Sequence, residues 1–172
     1  MKSGRETQTI RLAKESDLPA IVTVYNEAIR ETTATFDTEE KTVADQKPWF
    51  EKHKERHPIF VCELNGSVVG WASINEWSDR CAYADTAENS VFVLKNHHGR
   101  GIGKMLMQKI LEAAKERKYH TLIARISDGN EASLILHRNL GFIDIGTMRE
   151  VGKKFGKLID VHMLQLLFKS NS

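Results

Sequence analysis

One stretch limits what this chain can fold into more than any other. Ser90-Val-Phe-Val-Leu-Lys-Asn-His-His-Gly-Arg-Gly-Ile-Gly-Lys104 runs from an apolar strand through three alternating glycines into a helix. Ile102, Leu106, Ile110 and Ala114 recur four apart and give that helix one apolar face. Glycines let a backbone take positive φ and approach a ligand closely. Successive N–H groups in such a turn form an anion-binding nest. The helix start adds unpaired N–H groups and a positive dipole end. With Arg100 and Lys104 beside it, the turn reads as a seat for a pyrophosphate. Two better-known phosphate motifs do not fit. A Walker loop needs glycine where His98 stands and Ser or Thr where Met105 stands. The dinucleotide fingerprint needs Gly-x-Gly-x-x-Gly, and here the spacing is Gly-x-Gly-x-Gly. The bland alternative is a tight strand-to-helix turn without a ligand; three glycines with two basic residues favour the ligand.

The elements around this stretch follow from pattern. Residues 9–13 form a short strand. Ser16-Asp17-Leu18-Pro19 starts a helix with a capping side chain and an early proline; its apolar face is Ile21, Val24, Tyr25, Ala28 and Ile29, and it fades near Thr32. Residues 35–42 are a loop with Phe36 as its large apolar residue. A polar helix spans 43–56 and Pro58 ends it. Strands at 59–64 and 68–74 meet at an Asn65-Gly66 hairpin. Residues 75–82 are loop, 83–94 extended. The Gly-rich helix runs to about 118, a strand spans 121–126, and Asn130 opens a short helix ending at Gly141. Strands at 142–151 and 158–168 close the chain around a turn at 153–157. Strands on either side of the Gly-rich helix imply a mixed sheet flanked by helices.

At 172 residues, this is the length of one domain, assigned to 9–169 behind a loose head of residues 1–8, with a frayed tail, Ser170–Ser172. A net charge of +2, with basic and acidic residues interleaved, gives no nucleic-acid footprint. No run approaches the ~20 apolar residues of a membrane-spanning helix, and no export signal leads the chain. Cys62 and Cys81 make neither a metal-ligand pair nor a disulfide framework. A cytoplasmic, metal-free protein with reduced thiols is expected.

The stretch from Val91 to Lys104, followed by Asn130-Glu-Ala-Ser-Leu-Ile-Leu-His-Arg-Asn-Leu-Gly-Phe142, resembles the GCN5-related N-acetyltransferase superfamily. Its Gln/Arg-x-x-Gly-x-Gly/Ala signature falls on His98-Gly-Arg-Gly-Ile-Gly103, with histidine departing at the first position. Tyr25-Asn-Glu-Ala-Ile29, Thr33-Ala-Thr-Phe36, Glu88-Asn-Ser-Val-Phe-Val93 and Arg149-Glu-Val-Gly-Lys-Lys-Phe-Gly-Lys-Leu-Ile-Asp-Val161 are similar to phosphinothricin and methionine sulfoximine acetyltransferases. The resemblance spans about residues 10–167. It implies an α/β fold with a mostly antiparallel central sheet, acetyl-CoA as co-substrate, a small amino-acid-like amine as acceptor, and a homodimer with acceptor sites near the subunit boundary. Carried over by position, Val91, Phe92 and Val93 would pair with the pantetheine arm. Gly99, Arg100, Gly101, Ile102, Gly103 and Lys104 would hold the pyrophosphate. Asn130 and Ser133 would contact the arm near the thioester.

The substrate amine is itself the nucleophile, so the chain must supply a base and a proton donor. Glu88 sits just before the Val91 strand and matches the base proposed for the family. His137, on the face of the short helix shared with Ser133, Leu136 and Leu140, is assigned to the departing thiol, with Tyr83 and Tyr119 in reserve. A backbone N–H of the Val91 segment would meet the thioester oxygen. Cys81, Ala82 and Tyr83 match a substrate-contact segment, Cys81 as a buried or half-buried thiol. Arg80, Arg149 and Lys153 are candidates to pair with an acceptor carboxylate, and Phe36 and Trp77 to wall the pocket. Two other readings compete: a protein or peptide N-acetyltransferase, and a non-catalytic acyl-CoA-binding sensor that would not need Glu88 or His137.

Overall fold

In the computed structural model, which describes residues 7–53 and 55–169, seven strands form one mixed sheet with helices on both faces. The strands are β1 (Gln8–Leu12), β2 (Ile59–Leu64), β3 (Ser67–Glu76), β4 (Thr86–Val93), β5 (Thr121–Ser127), β6 (Ile143–Lys154) and β7 (Lys157–Leu167). Their order is β1-β2-β3-β4-β5-β7-β6, and only the β4–β5 pair is parallel. The helices are α1 (Leu18–Glu31), α2 (Val43–Lys52), α3 (Ile102–Glu116) and α4 (Glu131–Asn139). The mixed, mostly antiparallel sheet flanked by helices is therefore the fold observed. The first six residues of the expected head and the tail 170–172 lie outside the described residues.

Strand pleating explains the two layers, because successive side chains point to opposite faces. Ile59 and Val61 of β2 and Trp71 of β3 pack with Ile21 and Val24 of α1. Cys62, Leu64, Ala72 and Ile74 belong to the other face, with Leu106, Met107 and Ile110 of α3. Those three α3 side chains are fully buried, each worth roughly 1.5–3 kcal/mol of apolar transfer. A strand buried on both faces reads as a continuous apolar run, which is how β2 and β3 read.

Four local expectations are corrected. Asp17 does not cap α1: it accepts from the Lys14 backbone N–H at 2.7 Å and from both terminal nitrogens of Arg11 at 2.7 and 2.9 Å, tying β1 to the helix start. The helix expected over 43–56 stops at Lys52, because His53 turns extended and its Nδ1 contacts the Trp49 carbonyl at 2.7 Å. Pro58 therefore terminates nothing. The extended chain expected from 83 begins at Thr86, since Cys81–Tyr83 form a 3-10 turn and Cys81 is exposed rather than buried. The turn expected over 153–157 shrinks to Phe155 and Gly156, with φ of 50° and 75°, the two-residue hairpin loop that matches strand twist.

Candidate active site

The site begins where two central strands part. β4 and β5 pair only at Thr86↔Thr121, Ala87↔Leu122 and Glu88↔Ile123. From Asn89 onward β4 keeps its ladder with β3 alone, while β5 stays paired with β7 through Ser127. Main-chain groups of β4 that face the gap thus have no strand to meet, and such groups call for a partner. At the end of β4 lies the glycine turn. Gly99 and Gly101 have φ of 74° and 77°, and open space of 4 Å surrounds the place where a Cβ would sit. Gly101 is also the N-cap of α3 and brings no side chain to its free N–H groups. His98 turns its Nε2 back onto the Val93 carbonyl at 2.8 Å, and Arg100 lies 3.3 Å from His97 Nδ1. An extended amide chain fits the gap, and a pyrophosphate at its end fits the turn.

A cleft of about 910 Å³ opens beside the gap. Of the residues singled out from sequence, Phe36, Glu88, Val91, Phe92, Asn130, Ser133 and His137 line it. Glu88 is held by Arg125, whose Nε and Nη2 donate to its two oxygens at 2.6 and 2.7 Å. The Arg125 guanidinium stands 5.9 Å from the Trp77 ring centre. Pleat alternation puts Glu88, Arg125 and Phe92 on the α1 face of the sheet, and Asn89 and Val91 on the α3 side, where Asn89 meets His137 of α4.

His137 is only 2% exposed. Its Nδ1 lies 2.8 Å from the Ser133 carbonyl and its Nε2 2.8 Å from Asn89 Nδ2. A neutral ring with its proton on Nδ1 satisfies both contacts, donating to the carbonyl and accepting from the amide. Burial keeps its pKa below the ordinary histidine value, opposed by the bond to Ser133. Asn130 caps α4 by accepting from the Ser133 N–H at 3.4 Å.

The far wall is the loop between α1 and α2, and it is pinned. Tyr25 donates to Asp37 at 2.8 Å and meets the Thr35 hydroxyl at 2.8 Å, and burial pushes its pKa up to about 12. Lys154, buried so that its pKa falls, donates to the Thr35 carbonyl at 2.8 Å. Gly152 lies under the Phe36 ring, where a Cβ would come within 2.1 Å of a ring carbon. The tip of the β6–β7 hairpin thereby positions Phe36.

Other assigned residues stand apart. Cys81, Ala82, Tyr83 and Lys153 are exposed and do not line the cleft, nor do Trp77, Arg80 and Arg149. Arg149 is paired with Asp160 at 2.6 Å. Val93 and the glycine turn lie beyond the cleft, toward α3. Tyr119 spends its hydroxyl on the Arg56 carbonyl. Sequence reasoning missed Arg125 and Asn89, and both left a signal. Arg125 is a charge inside the apolar strand Leu-Ile-Ala-Arg-Ile, and Asn89 belongs to three consecutive polar residues in a central strand.

The acetyltransferase (GNAT) family profile matches residues 21–142. The L-methionine sulfoximine/L-methionine sulfone acetyltransferase of Pseudomonas paraeruginosa is 38% identical over 160 residues, covering 92% of this chain and 93% of its own. The phosphinothricin N-acetyltransferase of Streptomyces coelicolor is 36% identical over 92% of this chain and 95% of its own. Among solved structures, Salmonella typhimurium yncA, determined with its cofactor acetyl-CoA, superposes with a TM-score of 0.91 at 33% identity, covering 96% of each chain. With a family match across the glycine turn and relatives this similar along most of its length, the chain belongs to the acetyltransferase (GNAT) family and is an acetyl-CoA-dependent N-acetyltransferase.

Proposed function

We propose that the chain acetylates the primary amine of a small amino-acid-like acceptor, of the methionine sulfoximine or phosphinothricin type, by direct attack in a ternary complex. The observation that carries this reading is the Glu88 carboxylate, standing in the cleft at the last paired residue before β4 and β5 part. An ammonium ion must lose a proton before it attacks, and a carboxylate there takes it, directly or through water. Both Glu88 oxygens meet Arg125, yet each retains a lone pair for that proton. The relatives named above carry the acceptor class in their names, and this chain shares their length.

Acetyl-CoA supplies the activated acetyl group when bound. Val91, Phe92 and Val93 would offer main-chain groups to its pantetheine arm. Gly99, Arg100, Gly101, Ile102, Gly103 and Lys104 would hold the pyrophosphate, and Asn130 and Ser133 would close over the arm. His137 is kept on the thiol side on the strength of the resemblance; its Nδ1 proton goes to the Ser133 carbonyl at 2.8 Å, so any proton for the thiolate would pass through the Ser133 hydroxyl, 3.3 Å from the same nitrogen. Phe36 walls the acceptor. Cys81, Ala82, Tyr83 and Lys153 remain acceptor contacts on the strength of the resemblance. One copy leaves them on its surface, which is where a site shared between two copies would use them.

A homodimer is part of the proposal. Ile143, Ile145, Met148 and Val151 on edge strand β6, with Phe155 and Leu158 at the hairpin, are exposed apolar side chains that support it. Residues 9–169 act as one transferase unit, a reading supported by the single continuous sheet. The two free cysteines support a reducing, cytoplasmic setting. Among the described residues, no helix is long and apolar enough to cross a membrane.

Kinetics test the order of events. Cys81 is exposed, and among the described residues no base is hydrogen-bonded to it. Varying both substrates should give intersecting double-reciprocal lines, and Cys81→Ala should stay active. Parallel lines with a turnover-competent acetyl mark on Cys81 would overturn direct attack. A screen of amine acceptors, following thiol release, separates small amino acids from peptides.

A further inference from the structure

An amino-acid acceptor carries a carboxylate as well as an amine, and an anion placed in a cleft needs a partner. Most charges lining this cleft have the wrong sign: Asp37, Glu39, Glu40, Asp45 and Glu88. Two cations line it, Lys41 and Arg125. Lys41 sits in the acidic loop, 3.5 Å from Asp37. Arg125 is the cation beside Glu88, and none of the cations expected from sequence for this task reaches the cleft.

Arg125 has donors to spare. A guanidinium carries five N–H groups in a planar fork. Nε and Nη2 each give one to Glu88. Among the described residues no acceptor meets Nη1. The end-on edge, formed by Nη1 and the second N–H of Nη2, is therefore available for a second carboxylate. The side chain is 52% exposed, so a ligand can reach it.

We propose that Arg125 is the residue that selects acceptors with a carboxylate next to the amine. Glu88 occupies the side-on edge of the guanidinium and the acceptor's carboxylate docks on the end-on edge, in the bidentate geometry arginine favours. An amine on the carbon adjacent to that carboxylate then lies beside Glu88, the group that takes its proton. One guanidinium serves both anions, and Glu88 need not be displaced. Amines without a carboxylate, or with one far from the amine, lose this registration. The inference rests on the reading of Glu88 as the base of the acceptor site.

The test compares L-methionine sulfone with its α-carboxamide in the wild type, Arg125→Gln and Arg125→Lys. Each protein sees both compounds, so their different amine basicities cancel in the ratio of ratios. Arg125→Gln should lower kcat/KM for the acid about 30-fold more than for the amide, the ordinary worth of a charge-assisted hydrogen-bonded pair. Acetyl-CoA affinity, measured by calorimetry, should not change and confirms folding. Arg125→Lys keeps the charge without the fork and should lose about 10-fold on the same ratio; it carries the comparison if Arg125→Gln does not fold. An equal fall for acid and amide would mean that Arg125 only braces Glu88, and would overturn the proposal. So would a wild type that treats acid and amide alike. If the wild type acetylates neither, the proposed reaction fails, and acceptor binding by calorimetry decides Arg125 separately. A preference for the acid that Arg125→Gln abolishes upholds it; no preference overturns it.

Discussion

The two halves of this site are built from different materials. The half we propose for acetyl-CoA is backbone: main-chain groups of β4 beyond its pairing with β5, two glycines at positive φ, and the start of α3, which no side chain caps. It lies within one continuous run, residues 90–104. The half we propose for the acceptor is side chain. Glu88 from β4, Arg125 from β5, Phe36 from the loop after α1, and Gly152 and Lys154 from β6 meet only because the sheet brings them together. A backbone site has to be written locally, since its requirements are conformations of successive residues. A side-chain site can be scattered, and only the folded sheet reveals its composition.

The comparison predicts separable defects. The largest effect should follow Glu88→Gln, which keeps the shape and removes the carboxylate. The rate should fall by about 10²–10⁴, the usual range for loss of a general base. Calorimetry should find acetyl-CoA affinity nearly unchanged, because Glu88 is outside the backbone half. Wild-type turnover across pH would remove Glu88 from the mechanism. Gly101→Val should do the converse. A β-branched residue at φ 77° costs about 1–2 kcal/mol, and its methyls fill the space above the turn. We expect acetyl-CoA affinity to fall about 10- to 100-fold, with the acceptor KM little changed. Unchanged affinity in a folded variant would mean the pyrophosphate is held elsewhere.

Legibility in the sequence follows the same division. The sheet, its flanking helices and the glycine turn were readable because periodicity and glycine spacing are local. In two places where local reading failed, another group had claimed the side chain. Asp17 has the chemistry of a cap, yet Arg11 claims it. Residues 53–56 have helical composition, yet the His53 ring joins Trp49 and also Asn75 of β3 at 2.9 Å. The arginines and lysine that the sequence offers an acceptor carboxylate, Arg80, Arg149 and Lys153, sit in a loop and in the β6–β7 hairpin, where charge is expected. Arg125 is the one charge in a mostly apolar strand, and that contrast with its neighbours is the local signal. Glu88 was reached by its match to the family; its pairing with Arg125 depends on the parallel β4–β5 register, which no local pattern encodes.

A smaller change can test whether the acceptor half is rigid. Gly152→Ala puts a methyl where the Phe36 ring stands, at 2.1 Å, so the ring must move. Phe36 is partly exposed and can swing, so the penalty should be near that of an off-rotamer side chain, about 1 kcal/mol. The acceptor KM should rise about 5-fold while acetyl-CoA affinity holds. A variant with an unchanged acceptor KM would show that Phe36 does not wall the acceptor.

The smallest effect concerns stability, on the α4 side of the gap. His137 is buried and neutral, and its pKa is lowered from 6.5 by desolvation. The unfolded chain therefore takes up a proton at a pH where the native ring still refuses it. By linkage, stability must rise with pH through this window. His137 contributes fully above about pH 6.5 and loses that contribution as pH falls below it, at up to about 1.4 kcal/mol per pH unit while only the unfolded ring is protonated. His57, whose pKa is also lowered by burial, adds a slope of the same sign. Denaturant unfolding at about pH 8, 6.5 and 5 should show His137→Gln less stable than wild type at the highest pH, and less sensitive to acid than wild type. If His137→Gln loses stability in parallel with the wild type down to pH 5, the ring is not held neutral between Asn89 and Ser133.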